Sequence, residues 1–209
     1  MADLFALTQA QHYKARRESS WDRSGGNVDS VRIPAGTTKV LAQLEGPGVI
    51  SHIWFTAASA DPYYLRRLLL RMYWDGEEEP SVLAPLGDFF GLGHARAYTY
   101  NCAFFTCSAN HQGHLSGKVD EGVAMNCWLH MPFRRSARIE LVNEQPAGCD
   151  VGLFYYYIDW QQHPSLPEET MYLHAQWRRE NPALVKADDS PECRRMLEEE
   201  KNLTTATTT

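Results

Sequence analysis

The densest group of residues that could do chemistry lies in the segment SSWDRSGGNVD. It places an indole ring, two carboxylates, a guanidinium group and an amide around a Gly-Gly pair. Aromatic rings cover the apolar face of a sugar ring, while carboxylates, amides and guanidinium groups form directional hydrogen bonds with its hydroxyls. The alternative is an ordinary polar loop whose Asp and Asn side chains satisfy backbone groups of a turn. The first interpretation predicts a sugar-binding site formed by Trp21, Asp22, Arg23, Asn27 and Asp29.

A second candidate is the segment PLGDFFGLGH at residues 85–94, where closely spaced glycines let the backbone approach a ligand. Asp88 and His94 are the side chains expected to face that ligand, again a sugar. The spacing matches neither the G-x-G-x-x-G pattern nor the Walker pattern, so no nucleotide site is predicted. A glycine-bent strand end with a structural Asp is the alternative interpretation.

The sequence carries no signature of a metal site or of a serine hydrolase. His111 and His114 form the one close histidine pair, and no H-E-x-x-H motif accompanies them, so we expect neither a metal nor another cofactor. No G-x-S-x-G elbow is present. Glycoside hydrolysis needs two carboxyl groups that flank the scissile bond, and the sequence leaves open which acids meet. The catalytic residues are therefore unassigned.

Composition limits the possible partners. The 209 residues are 44% hydrophobic and 22% charged, which is typical of a folded globular protein. The net charge of -6, without a basic stripe, argues against a nucleic-acid partner. No apolar run is long enough to span a membrane, and no signal peptide is recognisable. An odd set of five cysteines without a C-x-x-C pair indicates reduced thiols, so we expect a cytoplasmic protein.

Short runs with period-two alternation dominate residues 31–162 and predict half-buried strands. In one of them, Val40, Ala42 and Leu44 are predicted to share the buried face. The dipeptide Asp75-Gly76 predicts a turn with positive φ. Because strands follow one another without a βαβ rhythm, we predict a mainly β protein, an antiparallel jelly-roll β-sandwich.

Helices are predicted only at the two ends of the chain, apart from one turn in DPYYLRRLL. The end segments are LFALTQAQHYKARRE and PECRRMLEEEK, the second started by Ser190 and Pro191 in cap and first-turn positions. We predict three regions. Residues 1–30 hold the N-terminal helix and the SSWDRSGGN loop, 31–184 the sandwich, and 185–209 a charged, Thr-rich tail for which disorder is the default.

Several blocks of the sequence occur in the order known from one protein family. They are SSWDRSGGNVD, EGPGVISHIWFT, LRRLLLRMYWDGEEEPSVLAPLGDFFGLGH, NCWLHMPFRRSARIELVNE, FYYYIDW and HAQWRREN. Over residues 17–182 this series closely resembles glycoside hydrolase family 172, also known as domain of unknown function 2961. The resemblance implies two successive jelly rolls and assembly into trimers or pairs of trimers. It also implies retaining hydrolysis of α-D-fructofuranosides or D-arabinofuranosides without a metal.

In that family the glutamate nucleophile and the glutamate acid/base belong to the second jelly roll, in blocks resembling E-G-D-E and G-T-x-D-Y-F. This sequence contains neither block, so we expect the chain alone to be inactive. The expected partners are a furanoside carbohydrate and either further copies of the chain, as in a trimer, or a second jelly-roll half. Three interpretations stay open: a truncated gene product, one half of a split enzyme, and a non-catalytic sandwich for sugar binding or assembly.

Overall fold

The computed structural model describes residues 8–110, 122–179 and the helical positions Pro191, Arg195 and Glu198. Contacts divide the chain into two units, Met1–Trp177 and Arg178–Thr209. The first unit is a β sandwich. In the second, the three described positions fall within the predicted helix PECRRMLEEEK and are helical. The start of the predicted N-terminal helix, the His111 and His114 pair and the Thr-rich end of the tail lie outside the described residues.

The helices are short, and strands are the main secondary structure of the first unit. Within the described ranges, no helix is long and apolar enough to cross a lipid bilayer. Helix α1 falls in the segment DPYYLRRLL, where one helical turn is predicted. In chain order the elements are β1 (Lys14–Ser19), β2 (Val31–Ile33), β3 (Thr38–Glu45), β4 (Gly48–Ala58), α1 (Tyr64–Arg67), β5 (Leu68–Trp74), β6 (Val82–Pro85), α2 (Leu86–Phe89), a 3-10 turn (Gly93–Ala95), β7 (Tyr100–Asn101), β8 (Phe105–Asn110), β9 (Gly122–Cys127), β10 (Met131–Phe133), β11 (Ser136–Asn143), β12 (Val151–Gln162) and β13 (Ala175–Gln176).

Two sheets pack face to face. The larger sheet has the order β1-β12-β4-β9-β8-β7, with β10 beside β4 and β2 beside β12, and the smaller has the order β13-β6-β5-β11-β3. The short β13 runs parallel to β6, and the other described pairings are antiparallel. The order β1-β12-β4-β9 opposite β3-β11-β5-β6 is that of two Greek keys, a jelly roll. The predicted fold class is confirmed.

The core lies between the sheets. Strand β4 shows which side chains point into the core and which point to solvent. Ile53, Phe55 and Ala57 are buried and point inward. Successive side chains of a strand point to opposite faces, so His52 and Trp54 lie on the outer face of the larger sheet. Burial of the apolar set therefore determines which polar and aromatic groups reach solvent.

The helix predicted for the N-terminal segment is wrong where the structure describes it. Residues Lys14–Ser19 form strand β1 and pair with β12, from Lys14 opposite Gln162 to Ser19 opposite Tyr157. This segment, KARRES, has no apolar face for a helix to bury, and short isolated helices are marginal in water. Pairing with the open side of β12 satisfies its backbone groups instead, so tertiary context overrides the local propensity.

One predicted strand face is also wrong, because β3 carries a β-bulge at Leu41, opposite β11. Ala42 and Leu44 are buried as predicted, but Val40 is 42% exposed. The register shifts between Ile139 and Glu140, so that Ala42 faces Ile139 while Val40 faces Glu140. Such a bulge breaks the alternation of side chains along the strand.

The turn predicted at Asp75-Gly76 is confirmed. Asp75 has φ 55 and Gly76 has φ 83, both in the left-handed region. The amide of Glu77 donates to the carbonyl oxygen of Trp74 at 3.0 Å, which closes a four-residue turn.

Candidate functional site

In the loop at residues 20–29, the two predicted sugar-binding carboxylates bind the loop's own backbone. Asp22 Oδ1 accepts from the Ser24 hydroxyl at 2.6 Å and the Ser24 amide at 2.9 Å, and its Oδ2 accepts from the Val28 amide at 3.1 Å. Asp29 Oδ1 accepts from the Asp22 amide at 2.8 Å. The Ser24 hydroxyl, followed by the backbone amides, lowers the pKa of Asp22. Both carboxylates therefore hold the shape of the loop.

The other members of the loop site are exposed. Trp21 is 53% exposed, and the Arg23 guanidinium lies 5.8 Å from the centre of its ring. Asn27 has φ 64, a left-handed conformation that suits asparagine in a turn. The sugar-binding role of this loop stays a prediction.

The two predicted side chains of the second segment line different cavities. Asp88 accepts from Arg66 Nη2 at 3.1 Å, and the Arg66 guanidinium lies 4.9 Å from the centre of the Trp177 ring. His94 is exposed, has φ 58, and lines a cavity of ≈ 320 Å³ with Tyr63. The structure thus gives Asp88 an ion-pair partner and does not bring it into the cavity of His94. Their role in sugar binding stays a prediction.

The strongest arrangement of polar groups lies on the outer face of the larger sheet and was not predicted. We call it the outer row; its members are Arg17, Asp159, His52, Asn126 and Thr106, on the neighbouring strands β1, β12, β4, β9 and β8. Arg17 donates twice to the Asp159 carboxylate, at 2.6 and 3.1 Å. His52 Nδ1 lies 3.0 Å from Asp159 Oδ2, and His52 Nε2 lies 3.0 Å from Asn126 Oδ1. Asn126 Nδ2 donates to Thr106 Oγ1 at 3.1 Å.

Period-two alternation places the members of the outer row on one face. In four of the five strands, the residue next to a member is buried in the core; these neighbours are Ile158, Ile53, Met125 and Cys107. Because the sheet's inner face is fixed by these apolar residues, the row must face away from the core.

Arg17 and Asp159 are both charged at neutral pH. Burial opposes ionisation of Asp159, but the hydrogen bonds from Arg17 and His52 together outweigh it and lower the pKa of the carboxyl group. The hydrogen bond to Asp159 raises the pKa of Arg17. The ion pair is held in a bidentate geometry, the strongest form of this contact.

Aromatic rings flank the outer row. The Trp128 ring stacks on His52 with 5.3 Å between centres and 19° between planes, and Trp128 is 42% exposed. Trp54 stacks on Tyr157 at 4.9 Å, and the Arg17 guanidinium lies 4.5 Å from the centre of the Tyr157 ring. Tyr157 lies on β12, between β1 and β4, and its ring contacts Arg17 of one neighbouring strand and Trp54 of the other. Trp128 stacks on His52 and is still 42% exposed, so it is our candidate for an aromatic contact with a ligand.

The outer row does not activate a nucleophile. Asp159 and His52 resemble two members of a catalytic triad, but Nε2 of His52 faces the amide oxygen of Asn126 rather than a hydroxyl or thiol. The described cysteines are free, and burial raises the pKa of Cys107 and Cys127 to about 11, which keeps them as thiols. Cys193 lies outside the described residues.

Four described carboxyl groups have a pKa that does not suit a glycosidase acid. A general acid needs a raised pKa, whereas the described carboxyl groups with a shifted pKa, Asp22, Asp75, Asp150 and Asp159, are all shifted down. In the part of the chain that the structure describes, no three His, Cys, Asp or Glu side chains gather in a way that could hold a metal ion.

Sequence reasoning noticed VISHIWFTA and FYYYIDW as strands but did not separate their two faces. A signal was present, because His52 and Trp54 alternate with apolar residues, as do Tyr157 and Asp159. Which strands are neighbours in the sheet is a property of the topology, and no local pattern contains it.

The fold and the outer face together define a jelly-roll β sandwich with an aromatic, hydrogen-bonding surface on one sheet. Residues 26–152 match the family described as GH172 domain-like. This match covers more than half of the chain, and the chain belongs to that glycoside hydrolase-like family. The matched range contains His52, Asn126 and Thr106 of the outer row, whereas Arg17 and Asp159 flank it. A comparison with curated proteins finds no match.

Proposed function

We propose that this chain is a sugar-binding jelly roll of the GH172 domain-like family, that it recognises furanosides, and that it does not cleave them by itself. The observation that carries the proposal is the outer row, a continuous set of hydrogen bonds over five strands beside the exposed ring of Trp128.

The outer row has hydrogen-bonding capacity left for a ligand. An ionised carboxylate has about four acceptor positions, and Asp159 uses three of them on Arg17 and His52. A guanidinium has about five N–H donors, and Arg17 places two on Asp159. A furanose ring stacked on Trp128 would bring its hydroxyls beside Asn126 and Thr106. Aromatic stacking and fixed polar groups together are the usual composition of a small-ligand site.

The hydrogen bonds of three carboxyl groups support binding without cleavage. Retaining hydrolysis needs one carboxylate as nucleophile and a second carboxyl group as acid. Asp22 and Asp75 are bound to backbone amides, and Asp159 is bound to Arg17 and His52. Under this proposal a partner sandwich supplies the catalytic pair, as the family resemblance implies.

Assembly is a second candidate function for the same sheet. On β12 the outward side chains of Leu153 and Tyr157 are 58% and 39% exposed, although both have large apolar surfaces. A second copy, or a second jelly-roll half, seated on this part of the sheet would remove those surfaces from water. Sedimentation velocity tests this, and a Leu153→Glu variant should shift an oligomer toward the monomer.

Calorimetric titration tests the sugar-binding proposal. We expect oligosaccharides of arabinofuranose and fructofuranose to bind, and xylo-oligosaccharides, which are pyranosides, to bind at least about tenfold more weakly. Trp128→Ala should reduce furanoside affinity by about tenfold, since stacking is the main contact. The control is Phe104→Ala, because Phe104 is 53% exposed and its carbonyl oxygen accepts from the Trp128 amide. Absence of binding to any furanoside, or equal loss in both variants, would overturn the proposal.

A further inference from the structure

We infer that His52 is a proton-controlled switch within the outer row: uptake of a second proton by its ring reverses the hydrogen bonds of Asn126 and Thr106 and changes what the sheet offers to a ligand. The consequence for sugar affinity rests on the proposed function, but the switch itself is a property of the unliganded chain.

Both ring nitrogens of His52 face an acceptor. Nδ1 is 3.0 Å from Asp159 Oδ2, and Nε2 is 3.0 Å from Asn126 Oδ1. Only the imidazolium form carries a proton on both nitrogens. The orientation of the Asn126 amide agrees with this form, because its Nδ2 is used by Thr106 Oγ1 at 3.1 Å.

The neutral ring requires a different arrangement. The Asp159 carboxylate only accepts, so the single proton of a neutral His52 stays on Nδ1. Nε2 is then an acceptor facing the oxygen of Asn126, and two lone pairs meet. Rotation of the Asn126 amide by half a turn directs its Nδ2 to His52 and its Oδ1 to Thr106, whose hydroxyl rotates to donate. Every group is satisfied in both arrangements, and neither needs the backbone to move.

The groups that face His52 come from the strands on both sides of β4 and from the segment after β9. From β12 the ring meets the carboxylate of Asp159, and beyond it Arg17 on β1 balances part of that charge. From β9 it meets the neutral amide of Asn126, and after β9 the ring face of Trp128. An aromatic face attracts a cation, so the ring of Trp128 is compatible with the imidazolium form.

The two arrangements present different groups at the Thr106 end of the outer row. With His52 protonated, Thr106 accepts from Asn126, so its own proton is free to be donated to a ligand oxygen. With His52 neutral, Thr106 donates to Asn126 and offers only lone pairs. Hydrogen bonds polarised by a charge are stronger than neutral ones. Furanoside affinity should therefore be roughly fivefold higher when the His52 ring carries both protons than when it carries one.

Nitrogen-resolved NMR of the full chain tests the switch without any sugar. We expect the ring nitrogens of His52 to pass from one tautomer to the doubly protonated form, and the side-chain amide signals of Asn126 to shift with the same midpoint. In His52→Gln those amide signals should no longer depend on pH. The matched control is His94→Gln, which removes an exposed histidine outside the outer row and should leave the Asn126 transition unchanged.

A second experiment measures furanoside affinity against pH in the variant Thr106→Val, in which a methyl group replaces the hydroxyl. This variant should retain the His52 transition and lose the pH dependence of furanoside affinity. A His52 ring that keeps one protonation state from about pH 5 to 8, or Asn126 signals that do not follow it, would overturn the switch. A complete switch in a chain that binds no furanoside would overturn the proposed function and leave the switch standing.

Discussion

His52 and Asp159 lie directly opposite each other on β4 and β12, with Nδ1 3.0 Å from Oδ2. They are more than a hundred residues apart in the chain, so the contact exists only because the jelly roll makes β4 and β12 neighbours. On the other side of β12, β1 places Arg17 opposite the same carboxylate. The outer row is thus a product of strand order combined with the alternation of side chains along each strand.

Replacing Asp159 tests how much its contacts with His52 and Arg17 contribute to stability and to sugar binding. In Asp159→Asn, Arg17 loses an ionised partner and His52 loses a charged acceptor. The side chain of Asp159 is 24% exposed, so we expect a loss of about 1 kcal/mol in the free energy of unfolding, together with weaker furanoside binding. Urea denaturation and calorimetric titration measure the two effects. Glu78→Gln, at an exposed position after a turn, is the control and should change neither.

The hydrogen bonds of Asp75 predict that the sandwich loses stability at acidic pH. Its Oδ1 accepts from the backbone amides of Arg134, Arg135 and Ser136, and its Oδ2 accepts from the Tyr172 hydroxyl. Burial opposes ionisation of Asp75, but these hydrogen bonds, led by Tyr172, lower its pKa. The stabilisation is present above the pKa of the unfolded chain, about 3.9, and is lost as the pH falls through the lower folded value.

The variant Asp75→Asn isolates that effect. At neutral pH it should reduce the free energy of unfolding by about 1.5 to 3 kcal/mol, because an amide is a weaker acceptor for the same donors. The difference from the parent protein should shrink as the pH falls below about 4. Urea denaturation over a series of pH values measures this. A difference that stays constant down to about pH 2 would show that the charge of Asp75 is unimportant.

Features that depend on residues close together in the sequence can be predicted from it, whereas features that depend on distant strands cannot. Alternation within a strand is local, and it correctly predicts a sandwich and the inward position of Ala42 and Leu44. The turn at Asp75-Gly76 is equally local, since two adjacent residues determine it. The exposure of Val40 comes from a bulge at Leu41 within β3, and the position of that bulge depends on the pairing with β11 rather than on the alternating pattern of β3 alone.

The candidate site was less predictable for the same reason. The loop with Trp21 and Asp22 is conspicuous in the sequence because its polar residues are consecutive, yet its carboxylates bind their own backbone. The outer row has no local signature, because its members are single residues from five strands. The helix expected over KARRES failed because the competing partner, β12, lies at the other end of the sandwich sequence.

Replacing Phe55 tests how much the core packing beneath the outer row contributes to stability. Its side chain is fully buried, and its ring lies 5.3 Å from Phe154 and 5.8 Å from Phe90, measured between centres. Phe55→Ala should lower the free energy of unfolding by about 3 to 5 kcal/mol, because the cavity sits between the two sheets. Phe104→Ala, which truncates a 53% exposed ring, should change it by no more than about 0.5 kcal/mol. Similar losses in both variants would contradict the packing of the core.

A variant of Asp88 tests whether this side chain forms a structural ion pair or contacts sugar. The side chains of Asp88 and Arg66 are 17% and 32% exposed, and their charged atoms lie 2.9 Å apart. A pair this buried lies between the surface and interior cases, so Asp88→Asn should lower the free energy of unfolding by about 1 to 2 kcal/mol. Because Arg66 occupies the carboxylate, furanoside affinity should stay within about twofold of the parent value.

Arg66→Met is the matched variant, since it keeps the length of the side chain and removes its charge. If the two residues act as a pair, the double variant should lose less stability than the sum of the single variants, by the coupling energy of the ion pair. Thermal denaturation gives the stabilities and calorimetry the affinities. If instead Asp88→Asn leaves the melting temperature unchanged and weakens furanoside binding by about tenfold, the carboxylate contacts sugar, as the glycine-rich segment at residues 85–94 suggests.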